Sequence, residues 1–196
     1  MSDRMPDWES RFRAPTASLP RWARAAPERL VFWSTESGVY QVHVLDRATG
    51  ERRQVTDHRV GALAGHLTPD GERVIFWRDE TGSEAGGWFA QPFSGGGAAP
   101  FLTGVPLGWN QGLAQAAGLV AVGISDADGF AVFVSADGEP AKEIWRSTEW
   151  VDLGGAEGGR ADLGALSADG TWLAVEHAEH GDSLHPALRV VDPRTG

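Results

Sequence analysis

A chain of 196 residues is long enough for one domain with a real core, and its 26 Gly, 11 Pro and 9 Trp point to short strands and many turns, not to long helices. A formal net charge of -10 argues against a nucleic-acid partner, whose phosphates require clustered Lys and Arg. The absence of Cys excludes disulfide scaffolds, thiolate chemistry and Cys-based zinc sites, and fits a reducing cytoplasm, where we expect the protein to reside.

Residues 1–28 are rich in Arg, Pro and Ala and show no strand-like alternation. Trp8 and Phe12 stand four apart, on one face of a short predicted helix, and an extended arm follows. That apolar face is expected to dock on this chain's own sheets or on a partner domain. The segment has no apolar core of a signal peptide, and nowhere do ~18 apolar residues run together, so no export signal or membrane span is expected.

From Arg29 the pattern changes to β-branched and aromatic runs separated by Gly and Asp turns, the mark of hairpins. Residues 29–60 read as three strands with turns at Glu36-Ser37-Gly38 and Arg47 to Gly50. Residues 61–104 read as four, with turns at Thr68-Pro69-Asp70-Gly71 and Gly95 to Gly97. Residues 109–148 repeat the four-strand rhythm around the turns Asp126 to Gly129 and Ala136 to Gly138. A fourth unit, 162–196, turns at Ala168-Asp169-Gly170 and stops at Asp192-Pro-Arg-Thr-Gly196, a near match to Asp46-Arg-Ala-Thr-Gly50. It is therefore expected to lack its outer strand.

Equivalent turns recur about every 40 to 60 residues, the period of four-stranded propeller blades. The expected fold is all-β: an incomplete β-propeller of about three and a half blades, preceded by the short helix and arm. The phrases TPDGERVIFW and LSADGTWLAVEH resemble the repeats of TolB-like propellers and of the N-terminal propellers of the prolyl oligopeptidase family of serine peptidases. The arm followed by LVFWST and YQVHVLDRATGERRQVTD is similar to acylaminoacyl-peptidase-like and dipeptidyl-aminopeptidase-like members. This resemblance implies a gating and substrate-selecting propeller placed ahead of an α/β-hydrolase domain, which would carry the Ser, Asp and His of the triad.

No G-x-S-x-G elbow occurs in the 196 residues, so no nucleophile is assigned and the chain alone is expected not to hydrolyse peptides. The nearest string, Gly123-Ile-Ser-Asp-Ala127, places Ser125 at a strand end entering a turn, where an elbow needs a helix. His177, His180 and His185 beside Glu176, Glu179 and Asp182 are the only grouped metal-ligand types. On a strand His177 and Glu179 share a face and His180 does not, so a polar hairpin tip is the preferred reading over a metal site. Glu176 and Glu179 are the candidates for holding a substrate's free amine.

The Trp residues, among them Trp33, Trp77, Trp88, Trp145 and Trp172, are read as packing between blades, with Trp109 and Trp150 as the exceptions. Ser94 to Gly97 joins two strands and is no phosphate cradle; Arg47, Arg52 and Arg53 are a solvated face. No cofactor is expected, and a peptide is expected as substrate only with a following hydrolase domain. A stand-alone TolB-like module binding a protein or peptide, or a truncated product without activity, are the alternatives. Open inter-blade surfaces predict self-association of the isolated chain.

Overall fold

The computed structural model describes residues 14–62, 64–154 and 165–196, and they form fifteen strands with no helix. The expected helix around Trp8 and Phe12 lies outside the described residues. Blade 1 is a four-stranded antiparallel sheet in the order β1 (Arg21–Trp22), β2 (Arg29–Ser34), β3 (Gln41–Asp46), β4 (Arg52–Gln54). Blade 2 comprises β5 (Gly65–Leu67), β6 (Arg73–Arg78), β7 (Ala85–Pro92) and β8 (Ala99–Pro100). Blade 3 comprises β9 (Gly108–Ala116), β10 (Leu119–Asp126), β11 (Gly129–Ala136) and β12 (Lys142–Ser147). Blade 4 has β13 (Val151–Asp152), β14 (Leu173–Asp182) and β15 (His185–Val191), with β15 at its edge among the described residues.

Two boundaries differ from the sequence expectation. The arm itself supplies the inner strand of blade 1, because Arg21 and Trp22 pair with Val31 and Leu30. Blade 4 begins its hydrogen bonding at Val151, ahead of residue 162, and its inner side resumes at the Leu166–Leu173 bridge. Both pieces are too short and too polar to show alternation.

Alternation along each middle strand places one set of side chains against the preceding blade and the other against the next. Val31, Val42 and Val44 of blade 1 meet Val74 and Phe76 of blade 2. Ile75, Trp77, Trp88 and Ala90 on the opposite face of blade 2 meet Val122, Ile124, Ala131 and Phe133 of blade 3. Ala121, Val132 and Val134 then meet Leu173 and Val175 of blade 4. The core is thus three successive wedges between sheets, as a propeller requires.

The repeated turns have one physical cause. Thr68 Oγ1 donates to Asp70 Oδ1 at 2.5 Å and accepts from Arg73 N, while Glu72 N donates to Asp70. Ser167, Asp169, Thr171 and Trp172 repeat these bonds in blade 4. The glycine closing each turn has positive φ, +73° at Gly71 and +70° at Gly170, and lies against the preceding blade, where Ala23 and Ala26 or Ala117 and Leu119 leave no room for a side chain to grow. The matching Asp46 and Asp192 turns agree as closely: Gly50 N and Gly196 N donate to the Asp46 and Asp192 carbonyls at 2.8 and 2.9 Å.

Blades 2 and 3 are also stitched into one eight-stranded sheet, through the pairs Ala85–Trp109 and Gly86–Gly108 of β7 and β9. A Cβ on Gly86 would stand 2.1 Å from the Arg78 carbonyl oxygen, and one on Gly108 2.3 Å from that of Ser125. Each glycine thus lets its strand lie tightly against its neighbour within its own blade, at the point where the two blades are stitched together.

Candidate functional site

The His177–His185 hairpin lies at the end of blade 4. His177 is buried, with its ring edge-on to Trp145 of blade 3, and its Nδ1 stands 3.7 Å from Glu179 Oε2. Arg189, stacked over Trp145 at 4.4 Å, donates to the same carboxylate at 3.2 Å. Glu179 is therefore occupied in holding blade 4 to blade 3. His180 also reaches His177, ring to ring at 5.9 Å, although simple alternation puts it on the other face. The register shift between His177 and Asp182 explains the difference, because a bulge moves the face by one residue.

Glu176 is opposite Leu188, on the face of blade 4 turned away from blade 3, so the two candidate amine-holding carboxylates stand on opposite sides of one sheet. His185 is exposed and bonds within its own turn, to Asp182. No group of three His, Cys, Asp or Glu among the described residues is placed to hold a metal ion.

Ser125 is buried in β10, paired with Phe130 across a tight hairpin and bonded to Gln111 Nε2 at 3.0 Å. The chain turns directly back at Asp126–Gly129, so the hydroxyl has neither the helix nor the exposed apex of an elbow.

The tryptophans divide much as expected. Trp77 and Trp88 are buried edge-to-face between blades 2 and 3, whereas Trp109, 45 % exposed, is an exception, and Trp172 is exposed rather than packed. Trp150 is half-buried beside β14, its carbonyl accepting from Ala178 N. Ser94–Gly97 joins β7 and β8. Arg53 departs from the solvated face: it donates to the Phe93 carbonyl across the blade 1–2 boundary, and burial lowers its pKa.

The sequence reading missed the loop between β6 and β7. Asp79 Oδ1 accepts from Thr81 N and Gly82 N, both at 2.9 Å, and Oδ2 accepts from Glu84 N at 2.6 Å. Burial alone would raise its pKa, but these N–H donors outweigh that and hold the carboxylate below its ordinary range. Trp77 and Trp109 donate their indole N–H groups to the Glu84 and Ser83 carbonyls, both at 3.2 Å. Glu84 is thereby fixed at φ +67° with its side chain in solvent. The D-x-T-G spacing was the available signal, as it marks an Asx turn that an aspartate organises from within.

This loop belongs to the end of the blades that carries the second-to-third-strand turns and the links between blades. There Asp57, His58 and Arg59 of one link face Arg78, Asp79 and Glu80 across a cleft of about 230 Å3. Burial, and then the Arg78 charge, lower the His58 pKa. A second cleft of about 230 Å3, at the opposite end between Arg29, Glu72 and Phe93, is crossed by the Arg29–Glu72 pair at 2.6 Å. Both are smaller than the roughly 300–1,000 Å3 of small-molecule pockets. No helix among the described residues is long and apolar enough to cross a membrane.

No protein-family model and no curated protein sequence matches the chain. Solved structures do match its fold. TolB from Acinetobacter baumannii superposes over 92 % of this chain and 42 % of its own, with a TM-score of 0.66 at 17 % identity. An oligogalacturonate lyase in complex with manganese matches 91 % of this chain and 51 % of its own, with a TM-score of 0.61 at 13 % identity. A prolyl endopeptidase matches over 92 % and 30 %, with a TM-score of 0.57 at 12 % identity. The chain thus spans about half the length of these structures or less, and at such identities the likeness is one of fold: an all-β propeller module of the kind found in TolB and in prolyl peptidases.

Proposed function

We propose that the chain is the non-catalytic, substrate-gating propeller portion of a prolyl oligopeptidase-type serine peptidase, acting in the cytoplasm. The observation that carries this reading is the arc of blades matched along nine-tenths of its length by a prolyl endopeptidase, combined with a Ser125 that is locked in a hairpin. The blade phrases TPDGERVIFW and LSADGTWLAVEH support the same family. In this role the blades restrict which chains reach a catalytic centre on another domain, and they contribute binding groups but no bond-breaking ones.

A stand-alone TolB-like binding module is the second reading, favoured by the higher TM-score to TolB. Labelling the native product with a serine-directed fluorophosphonate separates the two. A labelled species far above 20.9 kDa that yields peptides of this chain supports the peptidase. An unlabelled product supports the module. The purified 196-residue chain should not turn over aminoacyl or acyl-aminoacyl amides; turnover abolished by Ser125→Ala would overturn the first reading.

A further inference from the structure

We propose that the end of the blades bearing the Asp79–Glu84 loop is a docking surface for an extended basic segment of another polypeptide, with Leu107 and Trp109 receiving the aliphatic stem of an Arg or Lys and Glu84 its charge. The inference stands apart from the peptidase reading, since it concerns binding by this chain alone.

Among the described residues, the turns and links at this end, from Glu36 to Leu184, hold seven acidic residues, with Asp126 and Asp182 at the strand ends beside them, and one basic residue, Arg59. Arg52, Arg78 and Arg146 reach in from the strands, but each is committed, to Glu36, to Glu80 and to Asp126 with Glu143 respectively. Glu84, Asp128 and Glu149 pair with no cation among the described residues. A surface of this sign attracts cations and repels acidic chains.

Charge alone describes a solvated surface; the exposed apolar groups make this one different. Leu107 is 73 % exposed and Trp109 45 %, and Val39, Tyr40, Val60 and Leu184 are also exposed on the same end. The opposite end is acidic too, yet among the described residues it exposes only Trp22 and Trp172 as large apolar side chains beside turns.

The corner at Trp109 combines both properties. Its backbone is paired on one side with Ala85, at the end of the loop that carries Glu84, and on the other with Ser125, at the start of the hairpin that carries Asp128. Its indole N–H is held by Ser83, leaving ring surface in solvent between two acidic turns. An aromatic face flanked by carboxylates suits a guanidinium or ammonium on an apolar stem, because ring quadrupole and carboxylate both favour the cation while the stem covers Leu107. The Gly86–Gly108 stitch and the Asp79 bonds keep the corner in place before a ligand arrives, which lowers the entropic cost of binding.

The test uses the 15N-labelled 196-residue chain, with the Trp109 indole cross-peak assigned from Trp109→Phe. It is titrated with Ac-Ala-Arg-Leu-Arg-Ala-NH2 and with its Glu-for-Arg counterpart. The basic peptide should shift the Trp109 indole saturably and the acidic one should not. Glu84→Gln should weaken the basic peptide about fivefold or more, whereas Glu139→Gln, which removes one charge at the opposite end, should leave affinity within about twofold. No saturable shift, equal responses to both peptides, or equal losses in the two variants would each overturn the proposal.

Discussion

His66 shows how one residue's setting produces a measurable property of the whole chain. On β5, edge-on to Trp88, its pKa is lowered to about 4 by burial first and by the Arg21 charge second. Between that value and the ordinary 6.5, the unfolded chain binds a proton that the folded chain refuses. Stability is therefore full above pH 6.5 and falls as pH drops toward 4, by at most about 2 kcal/mol at pH 5. Urea unfolding at pH 7.5 and 5.0 measures this, and His66→Gln should flatten the difference. Burial lowers His43 and His58 in the same direction, so some slope should persist in the variant. Ser125 makes a different residue-scale prediction. Ser125→Ala removes the bond to Gln111 and should cost about 1 kcal/mol, a structural loss measurable by denaturation.

Among the elements, the β7–β9 stitch decides how rigidly blades 2 and 3 are joined. Gly86→Ala forces a methyl against the Arg78 carbonyl and should destabilise by about 3 kcal/mol. Gly97→Ala meets nothing within 4 Å and should leave stability within about 0.5 kcal/mol. Thermal melts of the two variants give the comparison. The stitch also marks the limit of what the sequence makes legible. Blade turns were readable because Asp bonds its own backbone two residues on and Gly accepts positive φ, so Thr68–Gly71 and Ser167–Gly170 carry their structure locally. Gly86 and Gly108 look like ordinary strand glycines, since their need arises from carbonyls of other strands. The same holds for Glu176 and Glu179: their spacing was visible, but the register shift that places Glu179 with Arg189 and leaves Glu176 on the far face was not. For β1, two residues are too few to express a period, and pairing with Val31 and Leu30 alone makes them a strand.

At the scale of the molecule, each blade interface uses the same positions, and blade 4 shows what an unused one looks like. The turns Thr68–Gly71 and Ser167–Gly170 align Ile75 and Trp77 with Ala174 and Glu176, and the strand registers then align Trp88 and Ala90 with Leu188 and Val190. Trp88 and Ala90 are buried against blade 3, at 6 % and 2 % exposure, whereas Leu188 and Val190 are 64 % and 54 % exposed, beside an edge strand that has no outer neighbour among the described residues. An apolar face next to open backbone groups is a template for association. The 196-residue chain by itself should therefore self-associate as its concentration rises, and sedimentation velocity over a hundredfold range should show this. The double variant Leu188→Lys, Val190→Lys should shift the chain toward monomer. Both side chains already point to solvent, so its melting temperature should change little. A wild-type chain that sediments as a monomer throughout would mean that this face is satisfied in some other way. A variant that associates as before would move the contact elsewhere, and blade 1, with Trp22 66 % exposed, would be the next surface to alter.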